Sequence, residues 1–312
     1  MNYYIYAPSY DENSGGCIAL HRLCHIINSI DGHQAFLVPR VIEKLEVTNF
    51  RTFVSDLKNI LKFYLKKITN EKYITNQNWN TPVITKRKIK DLQSSIVVYP
   101  EVTYGNPLNG KNIVRWFLHQ PGYFTKRVNF GIGELHYKFN SAIKDFTHCL
   151  SQQSKLELKI IYYPLEYYNL DDVDVDKKYG CCHTIRKGKH KTKVHPTKSV
   201  LIDGLSHKEI SHIFKRSKRF ISYDDYTAYS LFAVLCGCES IVVPNDNMTK
   251  EQWYPSETDR YGIAYGFSES EIKFANKTRS KVLEHILNEH KKTFDIAKKF
   301  TEETQNFFFI KN

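Results

Sequence analysis

The sequence predicts an α/β fold in two units, each built on a parallel sheet. Short apolar runs alternate with stretches of helical period along the chain, which is the pattern of parallel strands joined by crossover helices. The length of 312 residues is too great for most single cores and fits two domains of ordinary size. The clearest single unit is Phe220–Pro244, which has the order strand, polar turn, helix and strand.

Each half of the chain contains its own set of predicted elements. In the first half we predict strands at 2–7, Ala35–Val38, Ser95–Tyr99 and Ile113–Leu118, and helices at Cys17–Ile30 and Phe50–Lys67. In the second half we predict strands at Ser199–Ile202, Arg219–Ser222 and Ser240–Val243, helices near 207–216 and 228–236, and a long helical tail at Ser270–Phe309. The segment Ile160–Val175 mixes aromatic residues, a proline and acids, and we expect it to connect the two domains.

The composition indicates a basic, globular protein. Lys and Arg number 45 against 33 Asp and Glu, a formal net charge of +12. Residues 1–150 carry 19 basic against 11 acidic residues, which is +8 of this total. Basic clusters occur at Lys62, Lys66 and Lys67, and at Lys86, Arg87, Lys88 and Lys90. Such a surface favours an anionic partner such as nucleic acid, a membrane leaflet or an acidic acceptor, although a solvated face is the commoner explanation of any one cluster.

The seven cysteines and the apolar segments indicate the cellular compartment in which the protein is expected. The cysteines form no CxxC pair, and we expect reduced, mostly buried thiols in a cytosolic protein. The start MNYYIYAPSY lacks the basic and apolar regions of a signal peptide, and no apolar run approaches the length of a membrane span.

The turn inside Phe220–Pro244 is the strongest candidate for a ligand site. It follows a strand and precedes a helix, which is where ligands bind in open α/β sheets and where N–H groups can receive a phosphate. The candidate donor-binding residues here are Tyr223, Asp224, Tyr226, Thr227 and Ser230. An ordinary strand–helix turn without a ligand is the alternative.

A second group of candidates is a basic stretch, 182–189, expected to be a mobile loop. Arg186, Lys187 and Lys189 surround Gly188. A guanidinium fork and lysine point charges suit a diphosphate. A solvated turn is the alternative.

The remaining candidates lie in the first half. Gly15 and Gly16 follow the first strand and could let backbone N–H groups approach an anion or a sugar, although glycine can serve a helix entry for steric reasons alone. Glu101 follows a buried strand and is a candidate general base toward an acceptor hydroxyl; a loop acid or helix cap is the alternative. His119 follows the next strand and could hydrogen-bond a substrate hydroxyl or simply occupy a loop edge.

Two acidic or thiol-rich groups are not expected to bind metal. Asp172, Asp174 and Asp176 lack the glycine and distal glutamate of a calcium loop, and we expect solvated linker acids. Cysteines and histidines between 181 and 195 lack paired zinc-ligand spacing.

Taken together, these residues make the chain resemble a glycosyltransferase of the GT-B fold, most similar to the family-four retaining class that builds bacterial surface polysaccharides. The resemblance rests on Ser14-Gly15-Gly16, on Arg186-Lys187-Gly188 and on Ser230–Pro244, which looks like the family's Glu-Ala-x-x-x-Gly-x-Pro-Val-Val helix and strand. The family's two donor-contacting glutamates match Asp224 and Phe232 here, so only the first position keeps a carboxylate.

The resemblance implies two Rossmann-like domains facing each other across a cleft. An acceptor-binding domain would span 1–160, a nucleotide-sugar-binding domain 161–290, and a C-terminal helix at 291–312 would pack back on the first domain. It implies transfer of a hexosyl or related sugar from a nucleotide sugar to a polysaccharide or lipid-linked glycan of capsule, O-antigen or lipooligosaccharide type. It also implies no metal or other cofactor, and no nucleic-acid partner. The protein would be cytoplasmic and could lie peripherally on the inner face of the cytoplasmic membrane.

Two other functions stay open from the sequence. The basic first half and 21 tyrosines are compatible with a nucleic-acid-binding protein, although the sequence lacks an RNP, KH, helix-turn-helix or zinc signature. The absence of a second carboxylate, at Phe232, is compatible with a catalytically silent sugar-nucleotide-binding subunit.

Overall fold

The computed structural model of the chain describes residues 1–40, 57, 61, 72–141, 143–246 and 248–310. The chain divides into two compact units, Met1–Tyr162 with Lys292–Asn312 as unit 1 and Tyr163–Lys291 as unit 2. The predicted helix Phe50–Lys67 and the lysines at 62, 66 and 67 lie outside the described residues, apart from Leu57 and Leu61.

Unit 1 is built on a six-stranded parallel sheet in the order β2-β1-β3-β4-β5-β6. The strands are β1 (Asn2–Ala7), β2 (Gln34–Pro39), β3 (Ile96–Pro100), β4 (Asn112–Phe117), β5 (Leu135–Lys138) and β6 (Gln152–Glu157). Between β1 and β2 the chain forms the helix α1 (Gly15–Ile27). The central strands are buried on both faces, which explains why they appear in the sequence as nearly continuous apolar runs.

The side chains of β1 show how one strand serves two layers of the core. Tyr3 and Ile5 belong to the cluster that contains the apolar face of α1, whereas Tyr4 and Tyr6 belong to a separate cluster with Tyr99. Alternate residues of a strand point to opposite faces of the sheet. The sheet of unit 1 is therefore covered on both sides.

Unit 2 has a five-stranded parallel sheet in the order β11-β10-β9-β7-β8. Its strands are β7 (Tyr179–Thr184), β8 (Val200–Leu201), β9 (Ser217–Ser222), β10 (Glu239–Val242) and β11 (Ile263–Tyr265). Its helices are α2 (His207–Arg216), α3 (Tyr229–Leu235), α4 (Lys250–Trp253) and α5 (Glu269–Thr278). The helix α2 begins with a capping box in which Ser206 and Glu209 satisfy each other's backbone N–H groups.

The final helix α6 (Val282–Phe309) returns the chain to unit 1. The fully buried Phe300 belongs to the main core of unit 1, and the Tyr3 hydroxyl lies 3.0 Å from the Thr304 hydroxyl. Glu303 accepts hydrogen bonds of 2.8 Å from the hydroxyls of Tyr137 and Ser154. The predicted single tail is in fact two helices, because a 3-10 turn at Arg279–Lys281 separates α5 from α6.

The predicted fold class is confirmed, since two parallel sheets and the long C-terminal helix are all present. Four strands had no sequence prediction: β5, β6, β7 and β11. The prediction of a loop over 182–189 was wrong for its first residues, because β7 extends through Thr184 and the loop begins after it. The sequence YGCCHT of β7 contains a glycine and small or polar residues, so it lacks the apolar run by which the other strands were recognised.

The expected burial of most cysteines and the expected exposure of the acids in the connecting segment agree with the structure. Five of the seven cysteines are buried and none is paired in a disulfide. The acids Asp172, Asp174 and Asp176 are exposed, and Asp174 caps a short 3-10 turn. No helix among the described residues has both the length and the apolar character needed to cross a bilayer.

Candidate functional site

The candidate site of unit 2 is formed where three parallel strands end at one edge of the sheet. Thr184 at the end of β7 pairs with Ser222 at the end of β9, which in turn pairs with Val242 at the end of β10. The loops that follow these strands therefore leave from the same edge. Such an edge is the usual ligand position in an open α/β sheet.

This edge brings together Arg186 and Asp224, two residues that are far apart in sequence. The Nε atom of Arg186 lies 3.8 Å from Oδ2 of Asp224, and its guanidinium carbon lies 5.4 Å from the centre of the Tyr229 ring. The Arg186 side chain is 38% exposed, whereas that of Asp224 is buried. The guanidinium is thus held beside a carboxylate and over an aromatic face while still reaching solvent.

The backbone at Arg186 is held in place by Asp203. The carboxylate of Asp203 accepts hydrogen bonds from the backbone N–H groups of Ile185, at 3.1 Å, and Arg186, at 2.9 Å. The hydroxyl of Thr184 also donates to Asp203. Arg186 has a φ of +37°, a left-handed conformation that few non-glycine residues adopt. The carboxylate therefore stabilises an otherwise unfavourable turn that directs Arg186.

Gly188 allows the loop to lie directly on the next strand end. A Cβ atom at this position would fall 2.1 Å from the carbonyl oxygen of Tyr223. Only a residue without a side chain can make this approach. The glycine between the predicted cations is therefore required by packing within the protein.

The side chain of Tyr223 contacts the basic loop. From the sequence, we expected it to contact the nucleotide-sugar donor directly. Its side chain is only 1% exposed. Its hydroxyl accepts hydrogen bonds from the backbone N–H groups of Val194, at 2.6 Å, and His195, at 3.1 Å. Tyr223 thus fixes the far end of the basic loop, because its polar atom is already engaged there.

A second ion pair fixes the middle of the loop and was not anticipated from the sequence. The ammonium group of Lys191 lies 2.6 Å from Oδ1 of Asp225 and donates to the carbonyl of Val243, also at 2.6 Å. Asn245 donates to the other Asp225 oxygen at 2.8 Å. In sequence, Lys191 is one of several lysines in a charged stretch, and nothing distinguishes it from Lys187 and Lys189, which are exposed.

The remaining candidate residues of this turn lie around the start of α3. Asp224 accepts a bond of 3.3 Å from the N–H of Tyr226, and Thr227 accepts one of 3.3 Å from the N–H of Tyr229. Tyr226 is half exposed, and the buried hydroxyl of Ser230 has no hydrogen-bond partner among the described residues. The helix has only seven residues, Tyr229–Leu235, so its dipole is small and the cations must supply most of any attraction for an anion.

Phe232, at the position where the family that the sequence resembles carries a carboxylate, is part of the core. Its ring stacks on Tyr168 with centroids 4.2 Å apart and an interplanar angle of 12°. It is almost fully buried. A carboxylate at this position would lose its hydration without a partner, so the aromatic residue suits this helix.

In unit 1, Glu101 lies immediately after β3 with its carboxylate beside the end of β4. The N–H of Leu118 donates to it at 3.0 Å, and the N–H of His119 also faces it. Burial raises the pKa of Glu101 to about 7, and the surrounding N–H groups oppose this rise only in part. A carboxyl group that titrates near neutral pH can accept a proton from a substrate.

Gly15 and Gly16 form the first turn of α1, two residues before the predicted helix start. A Cβ on Gly15 would contact nothing within 4 Å, and one on Gly16 would make only an ordinary contact with Leu118. Neither glycine has a positive φ, so the described part of the protein does not require glycine here. Beside this turn lies a cavity of about 690 Å³ lined by Asp11, Ser14 and Lys72, among others.

No cluster of three or more His, Cys, Asp or Glu side chains able to hold a metal occurs among the described residues. Of the predicted donor residues, Arg186 and Asp224 are brought together in unit 2, 3.8 Å apart. Glu101 and His119 are neighbours in unit 1. These features define a two-unit α/β protein with a cationic site at one sheet edge and a buried acid at another.

Comparisons with known proteins give structural likenesses only. No protein-family model matches the chain, and no curated protein matches it. Among solved structures, it is similar to T4 phage BGT in complex with UDP-glucose, with 10% identity, a TM-score of 0.41, and coverage of 99% of this chain and 97% of that one. A second T4 phage β-glucosyltransferase structure matches at 12% identity, a TM-score of 0.40 and the same coverage.

Proposed function

We propose that the protein is a glycosyltransferase that takes a sugar from a nucleotide-sugar donor bound by unit 2. The observation that supports this most directly is the convergence of Arg186 and Asp224 at the carboxyl edge of a parallel sheet. Arg186, with the neighbouring Lys187 and Lys189, would neutralise the donor diphosphate. The carboxylate of Asp224 would accept a hydrogen bond from a hydroxyl of the donor.

The geometry of Arg186 suits a group that binds a leaving diphosphate. At 3.8 Å, the ion pair with Asp224 is longer than a hydrogen bond, and the Arg186 side chain donates none within the described residues. Its planar fork is therefore available to two phosphate oxygens. Such fixed charges stabilise a leaving diphosphate without solvent reorganisation. The proposal requires no metal ion, because these cations carry the charge.

We assign the acceptor to unit 1 and the proton transfer to Glu101. A carboxyl group with a pKa of about 7 is matched to removing a proton from an acceptor hydroxyl in an inverting reaction. In a retaining reaction Glu101 would instead orient the acceptor. The acceptor class we propose is a polysaccharide or lipid-linked glycan, and His119 would hydrogen-bond one of its hydroxyls.

The first test measures nucleotide binding by thermal unfolding with a panel of nucleoside mono- and diphosphates. UDP and UDP-glucose head the panel, because UDP-glucose is the ligand in one of the similar structures. Binding at a hundredfold excess over Kd should stabilise the protein by about 2.7 kcal/mol. We expect Arg186→Ala to bind the nucleotide about tenfold more weakly, so that part of this stabilisation is lost, and to lose transfer and donor hydrolysis.

A matched control is Arg219→Ala. Arg219 is an arginine of the same unit with a comparably exposed side chain, 45% against 38%, paired with Glu239 instead. We expect this variant to bind nucleotide normally. Unchanged turnover in Arg186→Ala across the panel would contradict the assignment, and nucleotide binding without hydrolysis or transfer would identify a silent binding subunit.

The acceptor class is tested separately. The exposed cluster Lys86, Arg87 and Lys88 and the +8 charge of residues 1–150 also suit a polyanion. Donor-dependent transfer to glycans with no product on duplex or single-stranded DNA would support the glycan. Transfer to DNA, with an affinity that falls steeply as salt rises, would make nucleic acid the acceptor in place of the glycan.

A further inference from the structure

Three aromatic rings form a group after β4, two of them exposed and the third half-buried. We call His119, Tyr123 and Phe124 the aromatic platform. The ring centroids lie 4.2 Å apart for His119 and Tyr123, 4.8 Å for His119 and Phe124, and 4.9 Å for Tyr123 and Phe124. Tyr123 is 57% exposed and Phe124 is 62% exposed. An exposed cluster of large rings on a protein surface commonly marks a binding site.

The loop that carries the platform is held by its own backbone. The N–H of Tyr123 donates to the carbonyl of Gln120 at 3.1 Å, and the N–H of Lys126 donates to that of Gly122 at 2.8 Å. Gly122 has a φ of +81°, which a larger residue would adopt only with strain. The ammonium of Lys126 lies 5.5 Å from the centre of the Tyr123 ring. The rings are therefore preorganised by the turn.

The platform adjoins the candidate base through shared peptide groups. The N–H groups of Leu118 and His119 both face the Glu101 carboxylate, and His119 is itself the first ring of the platform. The segment 118–119 therefore connects the first ring of the platform to the peptide groups that hold the buried Glu101 carboxylate. Binding sites for small ligands commonly combine aromatic walls with a few such polar groups.

We propose that the aromatic platform is the acceptor subsite and that it stacks the apolar face of a pyranose ring on Phe124 while a ring hydroxyl donates to Glu101. The inference rests on the proposed function, because Glu101 is assigned there to the acceptor. A pyranose carries both a C–H face and hydroxyl groups. The rings of the platform can stack on the C–H face, and Glu101 can accept from a hydroxyl, so both parts of a pyranose find a partner of matching chemistry.

The experiment uses saturation-transfer NMR on the full-length protein, with irradiation of aromatic protons and methyl glycosides of hexoses and N-acetylhexosamines as probes. We expect saturation of the ring C–H protons of at least one glycoside, and a Kd that rises about tenfold in Phe124→Ala. Phe124→Tyr keeps the ring and should bind within about twofold of the wild type. Ile132→Ala, an exposed apolar residue of the same unit, should bind normally.

Nucleoside-diphosphate binding, measured in parallel, separates the two proposals. Phe124→Ala should retain the full nucleotide stabilisation, part of which Arg186→Ala loses. Absence of nucleotide binding by the wild type would count against the proposed function. Absence of glycoside binding by the wild type, equal binding in Phe124→Ala, or Phe124-dependent binding of a short oligonucleotide in place of glycosides would overturn the platform's assignment.

Discussion

Single carboxylates hold the candidate site together at the residue scale. Asp203 receives two successive backbone N–H groups and so fixes the turn from which Arg186 projects. Asp225, in the turn after β9, forms a buried ion pair with Lys191, which lies in the same loop as Arg186. Removing one member of such an arrangement leaves the other unsatisfied, which usually costs more than the interaction itself contributes. These acids are thus expected to act through the cations that they position.

Asp203→Ala should weaken nucleoside-diphosphate binding about tenfold, because Arg186 would lose its fixed backbone. If Asp203 served only the stability of the fold, Asp203→Ala would lower the melting temperature, and its effect on nucleotide binding would not depend on the presence of Arg186. We therefore expect the double variant with Arg186→Ala to bind no worse than Arg186→Ala alone, as a double-mutant cycle measured by calorimetry would show. Additive losses would contradict the positioning role.

Glu101→Gln should change how the free energy of unfolding depends on pH. The folded pKa of about 7 lies above the ordinary 4.5, so the carboxyl contributes stability that is fully present below pH 4.5 and is lost as pH rises through 7. Relative to the variant, the wild type should lose about 3 kcal/mol across that range. Urea titrations at several pH values measure this difference, and parallel curves for the two proteins would refute the raised pKa. Transfer by the wild type should rise over the same range, because the base must be ionised.

At the scale of elements, the candidate site of unit 2 depends on loops that follow parallel strands. The loop after β7 crosses the end of β9, held by Gly188 against the Tyr223 backbone and by the Tyr223 hydroxyl. The first turn of α1 in unit 1 has the opposite character, because its glycines meet no close neighbour among the described residues. The two glycine positions should therefore respond differently to substitution.

Gly188→Ala should destabilise unit 2 by about 2 kcal/mol or more, since its Cβ would overlap a backbone carbonyl that cannot move aside independently. Thermal unfolding measures the loss. Gly15→Ala is the matched control and should leave stability unchanged or slightly higher. If the first turn of α1 contacts a ligand closely, that variant should lose ligand affinity despite its normal stability. A strongly destabilised Gly15→Ala would instead indicate that the glycine is structural.

At the scale of the whole molecule, one helix closes the chain onto its beginning. The last part of α6 supplies Phe300 and Thr304 to unit 1, where they meet Tyr3 of the first strand. Unit 1 is therefore assembled from the two ends of the chain. Its stability depends on contacts between residues almost 300 positions apart.

Phe300→Ala should destabilise unit 1 by about 3–5 kcal/mol, because it removes a fully buried ring and leaves a cavity. The ring also makes an edge contact with Tyr137 at 5.0 Å. Phe294→Ala, on the same helix but 42% exposed, should cost less than about 1 kcal/mol. Hydrogen exchange would show whether the loss falls on unit 1. Equal losses in the two variants would argue against this packing.

The amino-acid sequence alone was enough to predict the fold class and the strands that are buried on both faces. Segments such as Asn2–Ala7 and Ile96–Pro100 are recognisable because a parallel strand covered on both sides must be apolar throughout. Strands such as β6 (QQSKLE) and β7 (YGCCHT) carry polar or small residues. Their strand character comes from pairing with neighbours, which local composition does not record.

The sequence also made Arg186, Asp224 and Glu101 candidate site residues, because position after a strand and residue chemistry are both local properties. The tertiary structure shows which of the charged and polar groups are engaged within the protein and which reach solvent. It placed Tyr223 and Lys191 in internal bonds, Arg186 at the surface beside Asp224, and Asp203 beneath the Arg186 turn. Burial and partners over long sequence separations determine these roles, and neither is present in the order of residues along one loop.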